Sequence, residues 1–319
     1  MQSRRAIVFA AAVAAALIAP AAASAAAKPV VTTGGVSNVG QSTVVLNGRV
    51  NPRDAETTYF FQYGTTSLYG WNTPATSAGA GTRRIRVAVP VSGLAPATTH
   101  HFRLVARNRR GLVKGRNRTF KTHRQPLGVT LAATPNPIRA GRSTTLGGQL
   151  TGTGNAGRQV VLQANPFPYT QGFQNITNPQ VTDSNGGFAF PLLSVPVNTQ
   201  YRVLMPQRPE VASPVVAVGT AVRVSTKVRK RRGNRRGVLR FSGRISPAAP
   251  GSAVYIQKFR RNRWVNIART FARASSSSSS RYVKRVRQRR GGRYRVWANV
   301  QGAYLGSVGR TVRVRRVRR

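Results

Sequence analysis

Apolar and polar residues alternate along most of this chain in short runs, and no long stretch keeps the spacing of an amphipathic helix. In residues 100–107, His100, Phe102, Leu104 and Ala106 fall on one face; His101, Arg103, Val105 and Arg107 fall on the other. In residues 237–245, Leu239, Phe241 and Ile245 point one way and Arg240, Ser242 and Arg244 the other, with Val238 out of phase. A period of two marks strands with one buried face. Turn residues, chiefly Gly, Pro and Asn, punctuate the runs. The pattern predicts an all-β protein.

Three of these runs resemble one another: STVVLNGRV (42–50), STTLGGQL (143–150) and GVLRFSGRI (237–245). Their glycines, Gly48, Gly148 and Gly243, stand 100 and 95 residues apart. That period is too long for a solenoid and fits tandem β-sandwiches. The second and third units share further landmarks in the same order. GRQVVLQ (157–163) answers GSAVYIQ (251–257), and Phe173-x-x-Ile176 answers Trp264-x-x-Ile267. TDSNGGFAF (182–190) aligns with ASSSSSSRYVK (274–284), TQYRV (199–203) with GRYRV (292–296), and TAVRV (220–224) with RTVRV (310–314). The expected organisation is a leader over 1–27 and three sandwiches over 28–123, 124–225 and 226–319.

The repeat also decides two ambiguous stretches. VRKRRGNRRG (228–237) reads as a basic hairpin tip between the first two strands of the third sandwich rather than a free tail. The serine run 275–280 reads as a long hairpin turn rather than a linker, because a linker there would cut the third sandwich in two.

Residues 1–27 pair Arg4 and Arg5 with an apolar run, Ala6 to Ala19, and a small-residue cleavage site at 23–25 or 25–27. This is the pattern of a secretory signal peptide. The apolar run is shorter than the ~20 residues that span a bilayer, so no membrane span is expected in the mature chain. With no cysteine, the sandwiches must be held by their cores alone.

Charge changes the picture most in the third unit. The chain carries +48, with 52 basic and four acidic residues. Residues 226–319 hold 29 of the basic residues and none of the acidic ones. Arginine far exceeds lysine, a bias that a GC-rich genome also produces. Such a surface attracts polyanions.

Residues 28–122 carry a specific set of motifs: LNGRVNP (46–52), TTYFFQYGTTSLYG (57–70), VSGLAPATTHHFRLVARNRRG (91–111) and RTFKT (118–122). The segment resembles the fibronectin type III domains of secreted proteins from GC-rich Gram-positive bacteria. The resemblance implies a seven-strand sandwich used for spacing or binding, not catalysis. It also implies a corner tyrosine where this chain has His100, whose ring N–H would replace the hydroxyl with a poorer fit. The second and third units resemble bacterial Ig-like repeats, through the Gly-x-x-Val-x-Leu-Gln strand and the Asp-x-x-Gly-x-Phe turn.

Few groups are available for catalysis. They are Asp54, Glu56, Asp183, Glu210, His100, His101 and His123. Asp54 and Glu56 read as a solvated loop, Asp183 as a turn residue without the further ligands of a calcium loop, and Glu210 as surface. His100 and His101 are adjacent in a strand and point to opposite faces, so they cannot chelate one ion together. His123 falls in a linker. The expectation is a non-enzyme without metal or cofactor.

The candidate site is therefore the basic surface of the third sandwich: Arg229, Lys230, Arg231, Arg232, Arg235, Arg236, Arg287, Arg289 and Arg290, with Trp297 as the exposed aromatic. Trp264, aligned with Phe173, is expected in the core. The function expected is a secreted, non-catalytic surface or cell-envelope protein whose third sandwich holds an anionic cell-wall polymer or polysaccharide. Two alternatives are a secreted nucleic-acid binder, with non-specific contacts, and a glycan-binding accessory module. Arginine-rich edges favour a monomer.

Overall fold

The computed structural model describes residues 26–230, 237–288 and 291–315. Residues 1–25, within the expected leader, residues 231–236, within the expected basic hairpin tip, and residues 289–290 and 316–319 lie outside the described residues. All regular structure described is β, nearly all of it antiparallel. The chain forms two compact units, residues 1–124 and 125–319. The described residues bury three hydrophobic cores, one in the first unit and two in the second.

In the first unit, Val30–Ser37, Val44–Asn51 and Ile85–Val91 make one sheet. Thr57–Gly64 and Thr99–Asn108 form the centre of the other. Each outer strand of that second sheet is broken in two. Trp71–Asn72 and Thr76–Gly79 both pair with Thr57–Gly64. Gly111–Lys114 and Arg118–Lys121 both pair with Thr99–Asn108. Counted through these breaks, the layout is the seven-strand sandwich. Leu46, Phe61, Phe102 and Leu104 close its core.

The expected corner at His100 is present and poorly satisfied. The ring is buried and stacks on Phe120 at 5.4 Å. Its Nε2 reaches the Ala95 carbonyl only at 3.5 Å. Thr122 Oγ1 donates to that same carbonyl at 2.7 Å, and Nδ1 has no partner. The imidazole is shorter than the phenol that the resemblance implies at this position, and the Thr122 hydroxyl makes the short bond to the Ala95 carbonyl.

Within the second unit, Thr144–Thr151 and Gly187–Leu192 pair in one sheet, and Gln159–Pro166 and Thr199–Met205 are central in the other. In the third sandwich, Val238–Ser246 pairs with Ser279–Arg287, and Ala253–Arg260 with Gly292–Asn299. Leu239, Phe241 and Ile245 are buried, as the alternation predicts. Lys227–Lys230 pairs antiparallel with Val238–Ser246, so the two ends of the basic stretch lie in neighbouring strands. The serine run is tighter than expected. Ser276 already faces Ser279, leaving Ser277 and Ser278 as the hairpin tip.

The landmark glycines share one physical role. Opposite each, the first strand of the sandwich is interrupted: a register shift between Thr33 and Val36, a gap between Gly128–Val129 and Ala132–Thr134, and another between Arg223–Val224 and Lys227–Lys230. At Gly148 and Gly243 the interrupted strand's backbone comes so close that a Cβ would overlap the carbonyls of Thr130 and Ser225. Beside Gly243, the Tyr282 hydroxyl donates to the Ser225 carbonyl at 2.7 Å.

That phenol carries a pH signature. Burial pushes the Tyr282 pKa up to about 12, against a smaller opposing effect of its hydrogen bond with Thr226. Below pH 10 the phenol keeps its proton folded or unfolded. Between about pH 10 and 12 the unfolded chain releases that proton and the native chain holds it, so stability falls with pH, by up to about 2–3 kcal/mol once pH passes the folded value. Burial raises Tyr201 and Tyr294 in the same direction. Urea titrations at pH 9 and 11 should show this loss. Tyr282→Phe should start about 1 kcal/mol lower, having lost its hydrogen bond, and should lose less on going to pH 11. An equal loss in the variant would show that Tyr282 is not the titrating group.

The two sandwiches of the second unit are joined without slack. Val218 belongs to one core, and Val222 and Val224, four and six residues later, belong to the next. Asn198 ties the junction. Its Oδ1 accepts from the Thr220 N–H at 2.7 Å, its Nδ2 donates to Gly302 O at 2.7 Å, and its own N–H donates to Ala303 O at 2.8 Å. Leu305 completes it, donating its N–H to Thr220 O and accepting from Val222 N–H.

Candidate anion-binding face

The outer face of the Val238–Ser246 sheet gathers arginines from four strands. Strand register sets them in rows, because residues directly opposite in a ladder share a face. Arg229 lies opposite Arg240, and Arg240 opposite Arg285. Arg244 lies opposite Arg281, and Arg281 opposite Arg273. Arg287 extends the same face opposite Val238. All seven side chains are exposed. Neighbouring strands stand about 4.8 Å apart, so each row is a line of like charges at close spacing. This sandwich contains no carboxylate that might neutralise them.

The sequence-predicted residues divide over this geometry. Arg229 and Arg287 are on the arginine face. Lys230 is exposed at the strand end but lies opposite inward-facing Leu239, so it has the other parity. Arg231, Arg232, Arg235, Arg236, Arg289 and Arg290 are outside the described residues. Trp297 is on the other sheet. It is half-buried, and its ring stacks on Tyr255 at 5.2 Å. It does not join the arginine rows.

Trp264 corrects the expectation of a core residue. It shares the outer face with Trp297, half-buried, edge-on to Phe259 at 5.1 Å and covered by the Arg295 guanidinium at 4.4 Å. A strand residue opposite outward-facing Phe259 cannot point inward. Burial holds the Arg295 pKa below the ordinary arginine value. Arg240, Arg244, Arg273, Arg281 and Arg285 were absent from the predicted site. The period-two spacing of Arg281, Arg285 and Arg287 was the signal that one face collects them.

Elsewhere the titratable groups serve structure or solvent. The Asp183 carboxylate accepts from the N–H groups of Asn185 and Gly187, both at 2.8 Å, so it closes the predicted turn. Glu56 lines an open cleft with Arg107, Arg109 and Arg110. Among the described residues, no three His, Asp or Glu side chains come together to hold a metal ion, and no helix is long and apolar enough to cross a membrane.

Architecture and surface define a tandem-repeat protein of fibronectin type III-like and Ig-like β-sandwiches. No protein-family model and no curated protein matches the chain. Among solved structures, a tetra-tandem repeat from the extending region of a large adhesion protein is similar at 15% identity, covering 91% of this chain and 75% of that one, with a TM-score of 0.32. The FN1–FN3 domains of chicken CNTN1 align at 14% identity over 90% of this chain and 99% of that one, with a TM-score of 0.31. Domains A168–A170 of titin align at 14% identity over 91% of this chain and all of that one, with a TM-score of 0.37.

Proposed function

We propose that this chain is a secreted, non-catalytic binding protein of the cell envelope, exported by its leader and held there by an anionic cell-wall polymer or polysaccharide lying across the arginine face. The carrying observation is the pair of cross-strand rows, Arg229–Arg240–Arg285 and Arg244–Arg281–Arg273, in a sandwich without a single acidic residue. Arginines directly opposite one another repel. A linear polyanion spanning them removes that repulsion and releases its own counterions. Rows of exposed arginines favour recognition by charge density over selection of one sequence or sugar.

The test is a salt series, ~50 to ~500 mM, of full-chain binding to purified anionic wall polymer and to neutral glycan. Affinity for the anionic polymer should fall steeply with salt. A variant with Arg240, Arg244, Arg281 and Arg285 changed to Ser should lower the slope of log K against log salt by about three. An unchanged slope would place the contacts elsewhere. A nucleic-acid role would show instead as single-stranded DNA outcompeting wall polymer at equal charge.

A further inference from the structure

One polar row recurs in all three sandwiches, on the sheet that does not carry the arginine face. In the first, Asn72 lies opposite Gln62 and Gln62 opposite Arg103. In the second, the row is Asn175, Gln163, Arg202, and in the third Asn266, Gln257, Arg295. The central glutamine accepts from the arginine Nε at 2.8, 2.7 and 2.7 Å. Each guanidinium also lies 4.4 Å over an aromatic ring: Tyr69, Phe173 and Trp264 respectively. In the second and third sandwiches the glutamine Nε2 donates onward to the asparagine Oδ1, at 2.9 Å in both.

These bonds fix direction as well as position. Gln163 and Gln257 spend the oxygen on arginine and the amide nitrogen on asparagine, so neither amide can turn over. In these two rows the glutamine and asparagine oxygens each accept a bond inside the row, which leaves donors outward: the two Nη groups of the arginine and the Nδ2 of the exposed asparagine. In the first row the arginine engages the Gln62 oxygen in the same way. The arginine fork is held at Nε and on one flat side by the ring. It therefore meets a planar anion with little further ordering to do, which favours bidentate capture of a carboxylate. The mix of donors narrows the ligand class. One guanidinium beside a neutral amide suits a chain in which a carboxylate is flanked by uncharged hydroxyl or carbonyl oxygens. A polyphosphate, charged at every unit, would meet only one cation in each row.

We propose that each sandwich carries one such carboxylate receptor, centred on Arg103, Arg202 and Arg295, and that together they bind an acidic polysaccharide. The assignment is independent of the arginine face and extends binding to the first and second sandwiches. Three weak sites on one chain add through effective concentration, so a long polymer gains far more than a single sugar acid.

The experiment uses the full chain and an oligogalacturonate probe, followed through the arginine Nε–Hε resonances in nitrogen-15 spectra. The three clamped Nε–H groups are assigned one at a time from Gln62→Glu, Gln163→Glu and Gln257→Glu. Glutamate keeps an acceptor at the Nε and neutralises the fork, so a merely structural clamp would survive or strengthen. Oligogalacturonate should shift all three resonances. The triple Glu variant should bind at least tenfold more weakly with an unlowered Tm, while the four-serine variant of the arginine face keeps the three shifts. Resonances that stay put at saturating oligogalacturonate would overturn the proposal without needing any variant to fold. So would equal affinity in the triple variant. Stronger shifts with oligothymidylate or inorganic phosphate than with oligogalacturonate would overturn the choice of a carboxylated sugar.

Discussion

Gly243→Ala is expected to cost the second unit about 2–4 kcal/mol. A Cβ at this position would overlap the Ser225 carbonyl oxygen and sit 2.6 Å from the Tyr282 hydroxyl. Neither neighbour is free to yield. Ser225 is held twice by Arg244, its N–H donating to Arg244 O at 2.9 Å and its Oγ accepting from Arg244 N–H at 2.8 Å. Tyr282 is fully buried. Overpacking a rigid site costs about 1–3 kcal/mol, and displacing the Tyr282–Ser225 hydrogen bond adds about 1 more. Against a typical domain stability of about 5–15 kcal/mol that is a large fraction. Gly35→Ala is the matching control. Nothing lies within 4 Å of its added Cβ and its φ is ordinary, so it should stay within about 0.5 kcal/mol of the parent. Chemical denaturation of the three proteins side by side decides it. Equal midpoints for Gly243→Ala and Gly35→Ala would show that the interrupted first strand moves aside freely.

Asn198→Ala should weaken the second unit by about 2–4 kcal/mol and also divide its unfolding. The side chain is 9% exposed and binds on both sides of the junction. Truncation strands the Thr220 N–H and the Gly302 carbonyl at once, and a buried group left without a partner costs about 1–3 kcal/mol. Thr220 has no exposure at all, and its own Oγ1 already lacks a partner, so solvent does not reach the stranded N–H. With the tie removed, the two cores of the second unit should melt separately. Calorimetry should then resolve one further transition relative to the parent, and the Thr220 amide should exchange faster. A Tm shift under about one degree with an unchanged profile would show that Leu305 alone holds the junction.

The fold was readable in this sequence wherever the side-chain period was two and a turn residue closed the run. Leu239, Phe241 and Ile245 were placed correctly by that rule alone. So was the repeat, because Gly48, Gly148 and Gly243 answer a backbone approach that leaves little or no room for a Cβ. The site was less readable. Charge clusters in sequence drew attention to hairpin tips, whereas the rows form across strands, joining Arg240 to Arg285 over a separation of 45 residues. Register, not proximity in the chain, assembles them. Trp264 was misassigned for a related reason. Alignment with Phe173 was right, but both rings serve an outer-face guanidinium, and an aromatic half-buried under arginine looks the same in sequence as one in a core. Asn198 gave no warning, since a lone asparagine before a strand reads as turn chemistry.

The rows of opposed arginines have one further consequence. They place a repulsive load within a sheet whose packing and hydrogen bonds must resist it, so the third sandwich is at its least stable when bare. Anything that neutralises the rows binds the folded form in preference, and folding and occupancy then rise together by mass action. On the proposed function, the protein would be easier to unfold and to degrade away from an anionic polymer, and braced by the polymer when bound.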